Sequence, residues 1–267
     1  MSAIDETFAR CRAERRAAFI PFLMAGDPDL DRAPDLLHAA VAGGADLLEV
    51  GVPFSDPIAD GPVNQRAAAR ALAGGANLDD ILRMVARHRD ALGVPVVLFT
   101  YYNPLHARGA VRFAEQAAAS GVDGVLCVDL PPEEAADDLQ PALAEQGIDS
   151  IFLLAPTSSP DRVKRVDRAS SGFVYYVSRT GTTGERDELP KDLQRDVKKL
   201  RKKLDVPLAV GFGVSTPEHV AAIGSVADGV VVGSALVRLV EEHPRHMQLG
   251  AIIEGRVREL AAPLRRP

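Results

Sequence analysis

Apolar residues recur along this chain in two rhythms. Short apolar runs closed by glycine, proline or aspartate alternate with longer stretches in which apolar residues return every three or four positions. The first rhythm belongs to parallel strands buried on both faces, the second to amphipathic helices. The short runs predict strands over 18–24, 45–51, 94–100, 124–129, 150–155, 173–178, 207–211 and 229–232. The longer stretches predict helices over about 3–16, 31–43, 62–73, 78–91, 109–120, 132–146, 159–168, 190–203 and 216–224. From Gly233 the remainder reads as helix, broken around His243-Pro244.

Eight strand runs alternating with helices in 267 residues point to a closed α/β barrel. The expected fold is a single-domain (β/α)8 TIM barrel over residues 1–267, with an extra N-terminal helix and helical additions after strands 2 and 8. A doubly wound open sheet is the alternative. No GxGxxG follows the first strand, and eight strands suit closure better. Three strand starts also resemble one another: Gly44-Ala45-Asp46, Gly121-Val122-Asp123 and Val226-Ala227-Asp228.

Composition changes this picture little. The chain is 46% hydrophobic and 25% charged with a net charge of −6, and no basic stripe is interleaved with aromatics, so nucleic acid is not an expected partner. The basic run Lys198–Lys203 reads as a solvated helix face, and no apolar stretch is long enough for a membrane span. Cys11 and Cys127 lie in no CxxC arrangement, and the N-terminus has no signal pattern; the cytoplasm is the expected compartment.

The chemistry concentrates in residues 47–64. Glu49 interrupts the apolar run Leu47–Val52, and no lysine or arginine lies between residues 34 and 65 to pair with it. Burying a carboxylate is costly unless it is paired or protonated, so Glu49 is a candidate acid–base residue. Asp56 and Asp60 follow on a loop stiffened by Pro53, Pro57 and Pro62; the plain alternative is that both are turn residues, with Asp60 placed where a helix starts. Active sites of barrels lie at the C-terminal ends of the strands. Those ends carry Phe22, Phe99, Tyr101, Tyr175 and Phe212, which suit an apolar pocket or plain core filling. The last three loops carry Gly181 and Gly184, Gly211 and Gly213, then Gly233 with Ser234 opening a helix. Glycine-exposed N–H groups and a helix N-terminus favour a phosphate. All six lysines and all six histidines fall off the strands, which removes a Schiff-base lysine and a histidine-held metal from consideration; only His106, read as a surface loop residue, approaches the barrel mouth.

With these residues in view, the chain resembles the tryptophan synthase alpha subunit family. The likeness rests on Glu49-Val50-Gly51-Val52-Pro53-Phe54-Ser55-Asp56-Pro57-Ile58-Ala59-Asp60-Gly61-Pro62. Pro21-Phe22 with Gly26-Asp27-Pro28, Tyr101-Tyr102-Asn103-Pro104, Ser178-Arg179 with Gly181 and Thr183-Gly184, and Gly211-Phe212-Gly213 also match. The resemblance implies retro-aldol cleavage of indole-3-glycerol phosphate to indole and glyceraldehyde 3-phosphate, with no cofactor and no metal in this subunit. By the same resemblance Glu49 protonates the ring at C3 and Asp60 holds the indole N–H. Tyr175 positions Glu49 and the substrate, Gly184, Gly213, Gly233 and Ser234 hold the phosphate, and Thr183 closes over Asp60. Asp56 and Pro57 meet a beta subunit in an alpha2-beta2 complex. Asn64 departs from the family, standing where an aliphatic residue is usual, so either it turns away or the pocket is wetter here. Two rival readings are another sugar-phosphate barrel enzyme, an isomerase or epimerase, and a subunit serving mainly to activate a pyridoxal-phosphate partner.

Overall fold

A computed structural model describes residues 1–177, 192–211 and 213–264. Eight parallel strands close into a barrel in sequence order: β1 (Ala18–Met24), β2 (Leu48–Gly51), β3 (Val96–Thr100), β4 (Gly124–Cys127), β5 (Asp149–Leu154), β6 (Val174–Val177), β7 (Leu208–Gly211) and β8 (Gly229–Val232). Closure is made by β1 against β8, with Ala18 opposite Gly229 and Pro21 opposite Val232. The open-sheet alternative is thereby excluded.

Side chains alternate along each strand and divide the core in two. Ile20, Phe22 and Met24 of β1 pack inside the barrel with Val97, Phe173 and Val231. Phe19 and Leu23 face outward into the layer shared with the helices. Helix α1 (Ala3–Ala13) plugs the N-terminal end of the barrel, sending Ile4, Phe8 and Cys11 into the inner cluster. Gly124 and Gly229 begin their strands beside it, where a Cβ would lie 2.9 Å from Ile4 Cδ1 and 3.2 Å from Phe8 Cε1. The plug therefore needs those two small residues.

The recurrent aspartates of the strand starts act as clasps at that same end. Asp46 accepts from Phe19 N at 3.0 Å and from Arg16 at 2.6 and 2.8 Å. Asp123 accepts from Val96 N at 2.8 Å and from Arg89 at 3.1 Å. Asp228 accepts from Leu208 N at 2.9 Å and is paired with Arg201. Each carboxylate thus satisfies a strand-start N–H on the neighbouring strand and neutralises an arginine.

The helices after β1 and β2 are α2 (Ala33–Gly43), α3 (Pro62–Ala73) and α4 (Leu78–Leu92). The helix expected over 109–120 is α6 (Ala110–Ala119), and an unexpected helix, α5 (Tyr102–Arg108), precedes it, so His106 lies on an exposed helix rather than a loop. Pro104 hides α5, yet it sits in the first turn, where no intrahelical N–H is needed. Gly109, at φ +88°, separates the pair. The expected helix 132–146 is divided, into α7 (Pro132–Ala135) and α8 (Leu139–Glu145); Asp138 takes a non-helical conformation, caps α8 and accepts from the Tyr102 hydroxyl at 2.6 Å. Then come α9 (Pro160–Ala169), α10 (Leu193–Arg201) and α11 (Pro217–Gly224). After β8 lie α12 (Ser234–Glu242) and α13 (Leu249–Ala261), broken where His243-Pro244 suggests. Lys198, Lys199, Lys202 and Lys203 are exposed, and both cysteines are buried and free. No helix among the described residues is long and apolar enough to cross a membrane, and none of their side chains cluster as a metal site.

Candidate active site

The C-terminal ends of the strands surround a cleft of about 400 Å³, mouth included, and Glu49 stands in its wall. The register places Glu49 opposite Phe22 on one side and Val97 on the other, so its side chain follows Phe22 into the barrel. It is 1% exposed, and among the described residues its Oε1 has no hydrogen-bond partner. Burial alone pushes its carboxyl up to about 8. At neutral pH the residue is therefore largely a neutral acid, close enough to its midpoint to give up and regain a proton.

Phe22, Phe99, Tyr175, Val214 and Val231 form the apolar wall, with Phe22 and Phe99 in edge contact at 5.2 Å. Gly51 gives Phe22 its place, since a Cβ there would sit 2.6 Å from Phe22 Cζ. Tyr175 is fully buried; burial first, then the charges of Glu49 and Asp60, hold its phenol well above the ordinary range. Gly211 differs in purpose from the other late glycines. Its own side-chain position is filled by Tyr175, whose hydroxyl oxygen lies 2.2 Å from where a Cβ would stand. Gly213, with φ +79°, lines the cleft together with Gly233 and Ser234, the latter opening α12.

Asp60 is not an exposed turn residue: it is 2% exposed, just before α3. Burial raises its carboxyl, and hydrogen bonds from Tyr101 and then Asn64 draw it back. Tyr101 donates to Asp60 Oδ2 at 2.9 Å while its oxygen accepts from Ala59 N at 3.0 Å. Asn64 faces the cleft rather than turning away, and its Nδ2 donates to Asp60 Oδ1 at 3.4 Å. Helix α3 is fixed from behind. Arg70 forks onto buried Asp27 with two bonds of 2.9 Å, and Arg66 and Arg70 both reach Glu241 of α12. The two helices that flank the cleft are thus tied to one another.

Asp56 and Pro57 lie away from this cavity on the loop surface, Asp56 exposed and Pro57 half-buried. Thr183, Gly184 and Phe212, with Arg179 and Gly181, lie outside the described residues. Val214 and Val231 complete the wall without having been singled out in the sequence. The alternation of β8 is the signal that points Val231 inward, whereas nothing in the sequence pairs Tyr101 with Asp60, 41 positions away.

The family model of the tryptophan synthase alpha chain matches residues 8–261. The tryptophan synthase alpha chain of Solibacter usitatus is 48% identical over 260 residues, covering 97% of each chain. That of Geobacter sulfurreducens is 50% identical over 241 residues, covering 90% of this chain and 91% of its own. Tryptophan synthase subunit alpha from Legionella pneumophila superposes with a TM-score of 0.91 at 36% identity, covering 99% of this chain and 98% of that one. A chain of Mycobacterium tuberculosis tryptophan synthase superposes with a TM-score of 0.91 at 38% identity, over 100% and 99% of the two chains. On sequence and on fold, this chain belongs to the tryptophan synthase alpha chain family.

Proposed function

We infer that the chain is a lyase of tryptophan biosynthesis that cleaves indole-3-glycerol phosphate to indole and glyceraldehyde 3-phosphate. The observation that carries the residue assignment is Glu49: a neutral carboxyl in an apolar wall, its Oε1 without a partner among the described residues, facing a cleft whose rim holds glycines and a helix start. Glu49 donates its proton to C3 of the indole ring. The carboxylate so formed takes the proton from the hydroxyl on the adjoining side-chain carbon. The C3–carbon bond breaks, its electron pair returns to the ring, and the side chain leaves as the aldehyde. Asp60, held by Tyr101 and Asn64, accepts from the indole N–H and stabilises the cation formed on protonation. Phe22, Phe99 and Tyr175 enclose the ring, and Gly213, Gly233 and Ser234 receive the phosphate, with Thr183, Gly184 and Phe212 assigned by family likeness alone. Gly211 supports this end indirectly, through Tyr175.

The loop carrying Asp56, Pro57 and Ile58 is read as the face that meets a beta subunit in an alpha2-beta2 assembly. Ile58, 79% exposed, supports this, because so large an apolar side chain gains by being covered. Residues 1–267 are taken as one barrel domain acting in the cytoplasm. The test is indole release by the purified chain, with and without a beta subunit. Glu49→Gln keeps the shape and removes the transferable proton, so it should lower cleavage by about 10²–10⁴-fold while phosphate-ligand affinity stays unchanged. Wild-type turnover by Glu49→Gln refutes the assignment.

A further inference from the structure

Asn64 contributes more to the cleft than its bond to Asp60. It lies in the first turn of α3, 6% exposed, in the wall that also holds Glu49. Its Nδ2 must be the end that faces Asp60, because a carbonyl turned that way would set two acceptors against each other. Oδ1 is then the end left over. Among the described residues this oxygen is shut from solvent with no hydrogen-bond partner. Such an orphaned carbonyl costs about 1–3 kcal/mol, which a ligand bearing a donor would relieve. The cleft it shares is lined by Phe22, Phe99, Val214 and Val231, which offer no side-chain donor, and by Glu49, Tyr175 and Ser234, none of which makes a hydrogen bond to it. Glu49 Oε1 is the other orphaned side-chain atom of this wall, and the reaction already gives it work.

We propose that Asn64 is a specificity residue whose Oδ1 accepts a hydrogen bond from a hydroxyl carried on the indole ring, so that the site takes hydroxylated indoles as well as indole. The proposal rests on the lyase reading above. In that reading Asp60 takes the ring N–H, so the Asn64 carbonyl meets a different edge of the ring. An all-hydrocarbon wall scarcely separates a hydroxyl from a methyl group of similar size. A wall with an unmet acceptor favours the analogue that carries the donor. The hydroxyl is a spectator in the bond changes. In the condensation direction ring C3 bonds to the aldehyde carbon of glyceraldehyde 3-phosphate, C3 gives up its proton through Glu49, and the aldehyde oxygen gains one.

The full-length chain is supplied with glyceraldehyde 3-phosphate and with indole, the 4-, 5-, 6- and 7-hydroxyindoles, or the matching methylindoles. At one ring position or more, the hydroxyl compound should show kcat/KM about 3- to 10-fold above its methyl counterpart, the worth of one buried hydrogen bond. Asn64→Val and Asn64→Ala also remove the bond to Asp60 and so lower turnover of every indole, but the ratio of hydroxyl to methyl compound should fall below about twofold. Methyl compounds matching hydroxyl compounds at every position in the wild-type chain overturn the proposal, and so does a preference that survives in Asn64→Ala. The wild-type comparison decides without any variant, should one fail to fold. Absence of condensation with indole itself overturns the lyase reading and this proposal with it, whereas turnover of indole without a hydroxyl preference overturns the proposal alone.

Discussion

Replacing Glu49 by glutamine should make this protein more stable, by an amount that depends on pH. Buried Glu49 titrates at about 8, against an ordinary value of 4.5 that the unfolded chain should approach. A carboxyl whose folded value is raised holds its proton more tightly folded than unfolded. The stability this represents is complete below pH 4.5 and is lost as pH rises through 8. The gap, at about 1.36 kcal/mol for each pH unit, amounts to about 5 kcal/mol above pH 8 and about 3 kcal/mol at pH 7. Glutamine occupies the same volume and cannot ionise. Urea denaturation of both proteins from pH 4 to pH 9 should therefore show curves that nearly coincide in acid. They should diverge by about 1.4 kcal/mol per pH unit and level off above pH 8, with Glu49→Gln the more stable. Activity should run in parallel, kcat/KM of the wild type falling above pH 8 as the acid is lost. Stability curves that stay parallel across this range would show that Glu49 is paired or hydrated, and the argument for a neutral acid would fail.

Three further outcomes follow from individual contacts. Tyr101→Phe removes the donor to Asp60 Oδ2 and the acceptor for Ala59 N, so urea titration should show a loss of about 1–3 kcal/mol. Because that donor lowers the Asp60 carboxyl, the acid limb of kcat/KM should also move to higher pH; an unmoved limb contradicts the pairing. Gly211→Ala places a methyl group 2.2 Å from the Tyr175 hydroxyl and must push that ring aside, so steady-state assays should show kcat/KM lower by about tenfold or more. For Asp46, burial pushes the carboxyl up, but hydrogen bonds from Arg16 and Phe19 N and the charges of Arg16 and Arg10 outweigh it and hold it below 3.8. Its stabilisation is complete above 3.8 and lost as pH falls through the lower folded value. Asp46→Asn should therefore cost about 3 kcal/mol at pH 7, and the difference should shrink in acid. A constant difference down to pH 3 refutes it.

The strands were legible because a parallel strand buried on both faces must be apolar throughout, and β1 from Ala18 to Met24 matches its run residue for residue. The start of β2 was less legible. Ala45 and Leu47 extend the apolar rhythm around Asp46, but the strand begins at Leu48, because Asp46 turns its side chain to the clasp with Phe19 N and Arg16. Proline misled where it sits in a first turn, as Pro104 does. Glu49 stood out because one carboxylate in a greasy run has few innocent explanations. Asp60 did not, since the same residue before Gly-Pro serves equally well in an exposed turn, and its burial depends on Tyr101 arriving from another strand end. Glycine was the least readable residue: Gly213 is needed for its positive φ, Gly211 for a neighbour's bulk.

The clasp joining Asp46 to Phe19 lies three residues upstream of both Glu49 and its register partner Phe22. A slide of a single position between these strands would turn every side chain of β2 about, sending Glu49 among the helices and bringing Leu48 or Val50 into its place. A hydrogen bond at the far floor of the molecule thus determines which way the Glu49 carboxyl looks. Weakening it should blunt catalysis at a distance, through the placement of Glu49 and without any substitution in the cleft.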